Sequence, residues 1–165
     1  MTDASSIWYG AIVTDNYYEQ WWGTNYIALI DPFALPIWAN NNDVGGGVGI
    51  FCMETYYYNP NESEVTAVLH LYADNYADIF INGVEVGSDL DAWNTPSYPR
   101  LSVTLVPGYN VLRAEVIDHG AVGMFMATLV RSSDGAILLR TDPSWRIFCH
   151  WAPLRERAAD NFYQG

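Results

Sequence analysis

The stretch DLDAWNTPSY places Asp91, Trp93, Asn94 and Tyr98 close together in a polar, proline-containing segment. Those residue types are the ones that hold a sugar: a flat aromatic ring stacks on the apolar face of the pyranose, and carboxylate or amide groups take its hydroxyls. The structural alternative for Trp93 is a ring that plugs one end of a β-sandwich. Acid–base chemistry by a carboxylate pair has its own candidates in Asp74, Asp78, Asp89, Asp91 and Asp118, since two such groups at the right separation can cleave a glycosidic bond. In turns, however, Asp bonds its own backbone. Asp74 and Asp78 accordingly read as turn and strand-entry residues.

Other chemistries find less support. No G-x-S-x-G elbow is present, and His70, His119 and His150 stand in unlike contexts. Cys149 and His150 are adjacent in a strand-like run, so they face opposite ways and do not form a dyad. No C-x-x-C or H-x-x-x-H spacing suggests a transition metal. Calcium is the one ion with candidate carboxylates, at Asp31, Asp43, Asp89 and Asp91, although no run of ligands resembles an EF-hand. No cofactor is implied. GGGVG precedes a strand and has no Lys beside it, which makes it a linker or bulge rather than a phosphate cradle.

The elements that must position these residues are strands. At 165 residues the chain is the length of one domain, able to bury about 70% of its unfolded surface. Hydrophobic residues make up 50% and charged ones 16%, well under the roughly 25% of an average domain. The net charge is -12, and all seven bases are Arg. A phosphate backbone is repelled by such a chain, which excludes nucleic acid as a partner. The absence of Lys removes P-loop and Schiff-base chemistry. No apolar run reaches the ~20 residues of a membrane span, and the N-terminus lacks the charged region of a signal peptide.

From residue 48 onward, short alternating runs are separated by turn residues, the pattern of an antiparallel sandwich. In EVTAVLHLYA, residues Val65, Ala67, Leu69, Leu71 and Ala73 share one face. IFINGVEV reads as two strands joined by Asn82-Gly83, the strongest hairpin signal in the chain. About eight strands are expected, with a short helix in the tail at 151–165. Cys52 and Cys149 lie in apolar strand-like runs, as two buried thiols or as a disulfide between neighbouring strands.

Residues 73–87, ADNYADIFINGVEVG, together with PGYNVLRAEV, TDPSWR and PIWAN, resemble the galactose-binding-domain-like β-sandwich family, as found in accessory domains of polysaccharide hydrolases and related virion modules. The resemblance spans residues 36–148. It implies an all-β, antiparallel jelly-roll sandwich with a non-catalytic role in binding, spacing or assembly.

The first 35 residues depart from that pattern and carry many aromatics. Both rings of Trp21-Trp22 need cover on opposite sides, and a subunit interface supplies it. The expected organisation is an aromatic arm at 1–35 with interface residues Trp8, Trp21 and Trp22, a sandwich at 36–150, and a tail. The leading expectation is a structural subunit of a virion or extracellular particle, partnered by other subunits or by copies of itself. The alternative is a carbohydrate-binding module that attaches to glycans through the 89–98 loop.

Overall fold

Alternation decides the architecture. In β5 (Val65–Asp74) the residues Ala67, Leu69, Leu71 and Ala73 are all buried, and their counterparts on β10 (Met124–Arg131), namely Phe125, Ala127 and Leu129, lie across from them. A computed structural model describes residues 9–13, 27, 30–38, 49–89, 100–118 and 123–149. Besides β5 and β10 it contains β1 (Tyr9–Gly10), β2 (Ile12–Val13), β3 (Ile37–Trp38), β4 (Gly49–Asn59), β6 (Tyr76–Ile81), β7 (Val84–Asp89), β8 (Arg100–Leu105), β9 (Gly108–Asp118), β11 (Ile137–Arg140) and β12 (Arg146–Cys149). One sheet runs β1-β12-β4-β9-β6-β7; the other runs β2-β3-β10-β5-β8, with β11 also pairing β10. All pairings are antiparallel. The chain is therefore an all-β sandwich, as the alternation and the family resemblance imply. The strands beyond the expected eight include β1, β2 and β3, each two residues long and too short to show a period.

The core lies between the sheets. Met53, Ile79, Ala114, Val116 and Ile147 from the first sheet meet Leu69, Leu71, Phe125 and Val103 from the second. Trp38 and Trp145 are buried with them. Trp145 packs edge-on to Phe125 with ring centroids 5.6 Å apart, and its indole N–H donates to the Arg140 carbonyl at 2.8 Å. Trp38 packs edge-on to Phe51 and lies so close to Gly123 that a β-carbon there would sit 2.2 Å from the indole ring. Only glycine fits against that ring.

The Asn82-Gly83 turn closes a hairpin between β6 and β7, with Ile81 opposite Val84. Both turn residues have positive φ, 50° at Asn82 and 81° at Gly83. A β-carbon at Gly83 meets nothing within 4 Å, so the cost of replacing it is purely conformational. Gly83→Val is expected to destabilise the domain by ~1–3 kcal/mol, read as a lowered midpoint in urea. An unchanged midpoint would show that the turn contributes nothing to stability.

Trp8, Trp21 and Trp22 lie outside the described residues. The described parts of the first 35 residues are joined to the sandwich at several points. β1 pairs β12, β2 pairs β3, and the N–H of Ala11 between them donates to the Trp145 carbonyl at 2.9 Å. Ile27 and Ala34 form a second, smaller core with Tyr72, Met124 and Met126 on the outer face of the second sheet. Ile27 and Ala34 thus cover the part of that face formed by Tyr72, Met124 and Met126.

Cys52 is a buried free thiol. The β4–β12 register sets it opposite Phe148 and sets Cys149 opposite Phe51. Burial pushes the Cys52 thiol up in pKa, which the nearby Arg113 guanidinium, 3.3 Å from the sulfur, only partly offsets. Such a thiol is a packing group rather than a nucleophile. No helix among the described residues is long and apolar enough to cross a membrane.

Candidate functional site

β12 pairs β4 only from Phe51 to Glu54. Beyond Glu54 the same edge of β4 has no strand partner among the described residues, because the chain reaches β12 by crossing over from β11 in the other sheet through Thr141–Trp145. The crossing leaves a cleft of about 310 Å³, lined by Thr55 and Tyr56 of β4, Ile137–Arg140 of β11, and Asp142 and Ser144 of the connection. It lies at the small end of the ligand-site range, the size for one compact ligand.

Its walls are chemically mixed. Ile137, Leu138 and Leu139 give the cleft an apolar side, while Arg140, Asp142, Ser144 and the Thr55 hydroxyl give it donors and acceptors. Asp142 accepts the Ser144 backbone N–H at 2.7 Å and also the Ser144 hydroxyl, which fixes that turn. Arg140 is held by Asp31: its Nε donates to Oδ2 at 2.7 Å, and the Thr128 hydroxyl donates to the same oxygen at 3.3 Å. The Asp31 side chain is 1% exposed and that of Arg140 is 37% exposed, so the ion pair anchors a guanidinium whose outer edge still reaches solvent. Phe33 packs beneath the Arg140 guanidinium, 5.5 Å from ring centroid to Cζ.

Tyr56 forms the rim. Alternation along β4 sends Glu54, Tyr56 and Tyr58 to the outer face of the first sheet, and Met53, Thr55 and Asn59 inward. The Tyr56 hydroxyl donates to Glu54 at 2.5 Å, and the Arg146 guanidinium lies 5.7 Å from the ring centroid. The hydrogen bond to the Glu54 carboxylate raises the Tyr56 pKa, so the phenol stays protonated at neutral pH. The site is a part-exposed ring tied down at its hydroxyl, with Arg146 over one face and the other face left for a ligand, beside a polar hollow.

Among the residues singled out from the sequence, Asp91, Trp93, Asn94 and Tyr98 lie outside the described residues. Their anchors are described: Asp89 ends β7 opposite Ala77, and Arg100 begins β8 opposite His70. Both lie toward the end of the sandwich away from the Asn82-Gly83 turn. Asp89 is buried and accepts the Ala73 N–H at 3.1 Å. Asp74 ends β5 and takes the Asn75 amide at 2.7 Å; Asp78 on β6 takes the Tyr76 hydroxyl at 2.8 Å. Asp74 lies at a strand end before Asn75, whereas Asp78 lies within β6 rather than at its entry. Of the calcium candidates, Asp31 is engaged by Arg140 and Asp89 by Ala73, while Asp43 and Asp91 lie outside the described residues. Among the described residues no group of three metal-ligating side chains comes together.

The cleft residues were not singled out from the sequence. The run ETYYYN held a signal: on a strand with one solvated face, at least one of three successive tyrosines must project outward. Asp142 and Ser144 carried no such signal, since D-P-S reads as a turn wherever it occurs.

No family model matches the chain, and no curated protein matches it. Solved structures do. The apo lectin of Pleurotus ostreatus is 22% identical over 68% of this chain and 34% of the lectin, with a TM-score of 0.57. A GH78 family rhamnosidase of Bacillus sp. GL1 is 26% identical over 70% of this chain and 13% of the enzyme, at a TM-score of 0.57. The α-L-rhamnosidase of Streptomyces avermitilis is 14% identical over 98% of this chain and 16% of the enzyme, at 0.61. The chain therefore spans about a third of the lectin and less than a fifth of either enzyme. The likeness is one of fold: a β-sandwich that occurs within carbohydrate-related proteins. Nothing in these neighbours indicates a virion subunit.

Proposed function

We propose that this chain is a non-catalytic carbohydrate-binding β-sandwich and that its site is the cleft beside Tyr56. The observation that carries the reading is the pairing of an exposed tyrosine ring, held at its hydroxyl by Glu54 and on one face by Arg146, with a polar hollow beside it. A sugar needs a π-face for its C–H groups and fixed donors and acceptors for its hydroxyls. Tyr56 supplies the first; Arg140, Asp142 and Ser144 supply the second. The fold neighbours support the same reading: the Pleurotus lectin has been solved in complex with GalNAc, and the Streptomyces rhamnosidase in complex with L-rhamnose. Of the two roles the sequence suggests, glycan attachment is therefore preferred over assembly into a particle.

The test is a glycan array that includes GalNAc and L-rhamnose, followed by titration of the best binder. Tyr56→Ala is expected to weaken binding at least tenfold, equivalent to ~1.4 kcal/mol, with an unchanged melting profile. Trp93→Ala, measured in parallel, distinguishes the two candidate platforms. Loss of binding in Trp93→Ala with full binding in Tyr56→Ala would move the site to the 89–98 loop and overturn the cleft.

A further inference from the structure

Three exposed tyrosines stand on one face of one sheet. Tyr56 and Tyr58 alternate outward on β4, and Tyr109 on β9 is the direct cross-strand partner of Tyr58. They are 44%, 56% and 75% exposed respectively, and the Tyr58 and Tyr109 rings meet edge-on with centroids 5.0 Å apart. Residues two apart on a strand are separated by ~7 Å. The second aromatic platform thus begins about one sugar unit beyond the cleft. It is continuous with the cleft, because Tyr56 is both the rim of the hollow and the first ring of the row.

The charges around this row cancel locally, in a chain whose net charge is -12. Arg113 is ion-paired with Glu115 at 2.6 Å. Glu54 takes the Tyr56 hydroxyl and lies between Arg146 and Arg113 in the sheet register. Tyr58 and Tyr109 pair with each other. Along Tyr58 and Tyr109 a ligand meets aromatic faces beside charges that balance, and in the cleft Arg140 is paired with Asp31 while the Asp142 carboxylate is in no ion pair among the described residues. That surface suits an uncharged ligand better than an anionic one.

We infer that the ligand is a neutral glycan chain of at least two or three units, which places one unit in the cleft at Tyr56 and runs along β4 onto the Tyr58–Tyr109 pair. This rests on the carbohydrate reading above and extends it from a single sugar to a chain. The structural basis is continuity: one strand carries both platforms, and the open edge of β4 beyond Glu54 leaves the path between them uncovered by any described strand.

The experiment is calorimetric titration of the full chain with GalNAc, L-rhamnose, and neutral galacto-, xylo- and rhamno-oligosaccharides of one to six units. Affinity is expected to rise at least tenfold between one and three units in the series that binds. Tyr109→Ala and Tyr58→Ala are expected to return the longer oligomers to the affinity of the monosaccharide while leaving monosaccharide binding intact. Equal affinity at every length, or an unchanged length dependence in both variants, overturns the chain inference and leaves the single-sugar reading standing. A preference for uronic-acid oligomers over neutral ones overturns the neutrality. Failure of every probe, single sugars included, overturns the carbohydrate reading and the inference with it.

Discussion

A chain lacking residues 1–35 is expected to lose its cooperative melt. The described residues of this segment contribute to both layers of the fold. Removing them takes β1 from the edge of β12 and β2 from β3, and it takes away the Ala11 bond to the Trp145 carbonyl and the Leu35 bond to the Thr141 carbonyl. It also uncovers Met124, Met126 and Tyr72, which Ile27 and Ala34 cover in the intact chain. Arg140 loses the carboxylate of Asp31. Burial of a single large aliphatic side chain is worth ~1.5–3 kcal/mol, and a domain has only ~5–15 kcal/mol in all. The summed loss is comparable to the whole. Ile27→Ala in the full chain, where nothing else is disturbed, is expected to cost ~2–4 kcal/mol. A truncated protein that melts cooperatively within a few degrees of the full chain would establish the segment as a separable arm, the arrangement its composition suggests.

The strands of this segment escape a sequence reading for a physical reason. Period-two alternation announces a strand only over four or more residues, and β1, β2 and β3 are two residues each. Asp31 reads in sequence as a loop carboxylate available to calcium; its partner Arg140 is remote in the chain and invisible to any local pattern. Long strands behave oppositely. The alternation in Val65–Asp74 identified Ala67, Leu69, Leu71 and Ala73 as the core face, and the Asn82-Gly83 dipeptide located a turn whose φ values are the ones its chemistry permits. The candidate site falls between these cases. Tyr56 belongs to a legible strand, but Arg140, Asp142 and Ser144 reach it only because the chain changes sheets between β11 and β12. A site assembled at a crossover is set by topology, and no spacing along the chain encodes it.

Asn110 is where the strongest single polar substitution is expected to act. It is buried, and its side-chain amide uses both ends: Oδ1 accepts the Val106 N–H at 2.9 Å and the Asn82 amide at 3.0 Å, while Nδ2 donates to the Val106 carbonyl at 2.8 Å and the Gly108 carbonyl at 3.0 Å. Asn82 in turn accepts the Val111 N–H at 2.8 Å. The hairpin turn is thereby fastened to the entry of β9, which accounts for so well specified a turn: it sets register and also clamps one end of the first sheet. Asn110→Ala removes four hydrogen bonds and strands their partners. At ~0.5–1.5 kcal/mol net per bond, and more where a partner is left buried, the loss is ~2–4 kcal/mol. For a chain of this size that is a fall of roughly 5–15 °C in Tm. Asn82→Ala removes only the exposed half of the network and is expected to cost ~1 kcal/mol. Because β9 begins at Gly108 and carries Tyr109, the same substitution loosens the far aromatic pair. Asn110→Ala, assayed below its melting range, is therefore expected to reduce affinity for the longer oligosaccharides while sparing a single sugar at Tyr56. A melting temperature within a degree of the parent would show that the turn and the strand are held by the backbone ladder alone.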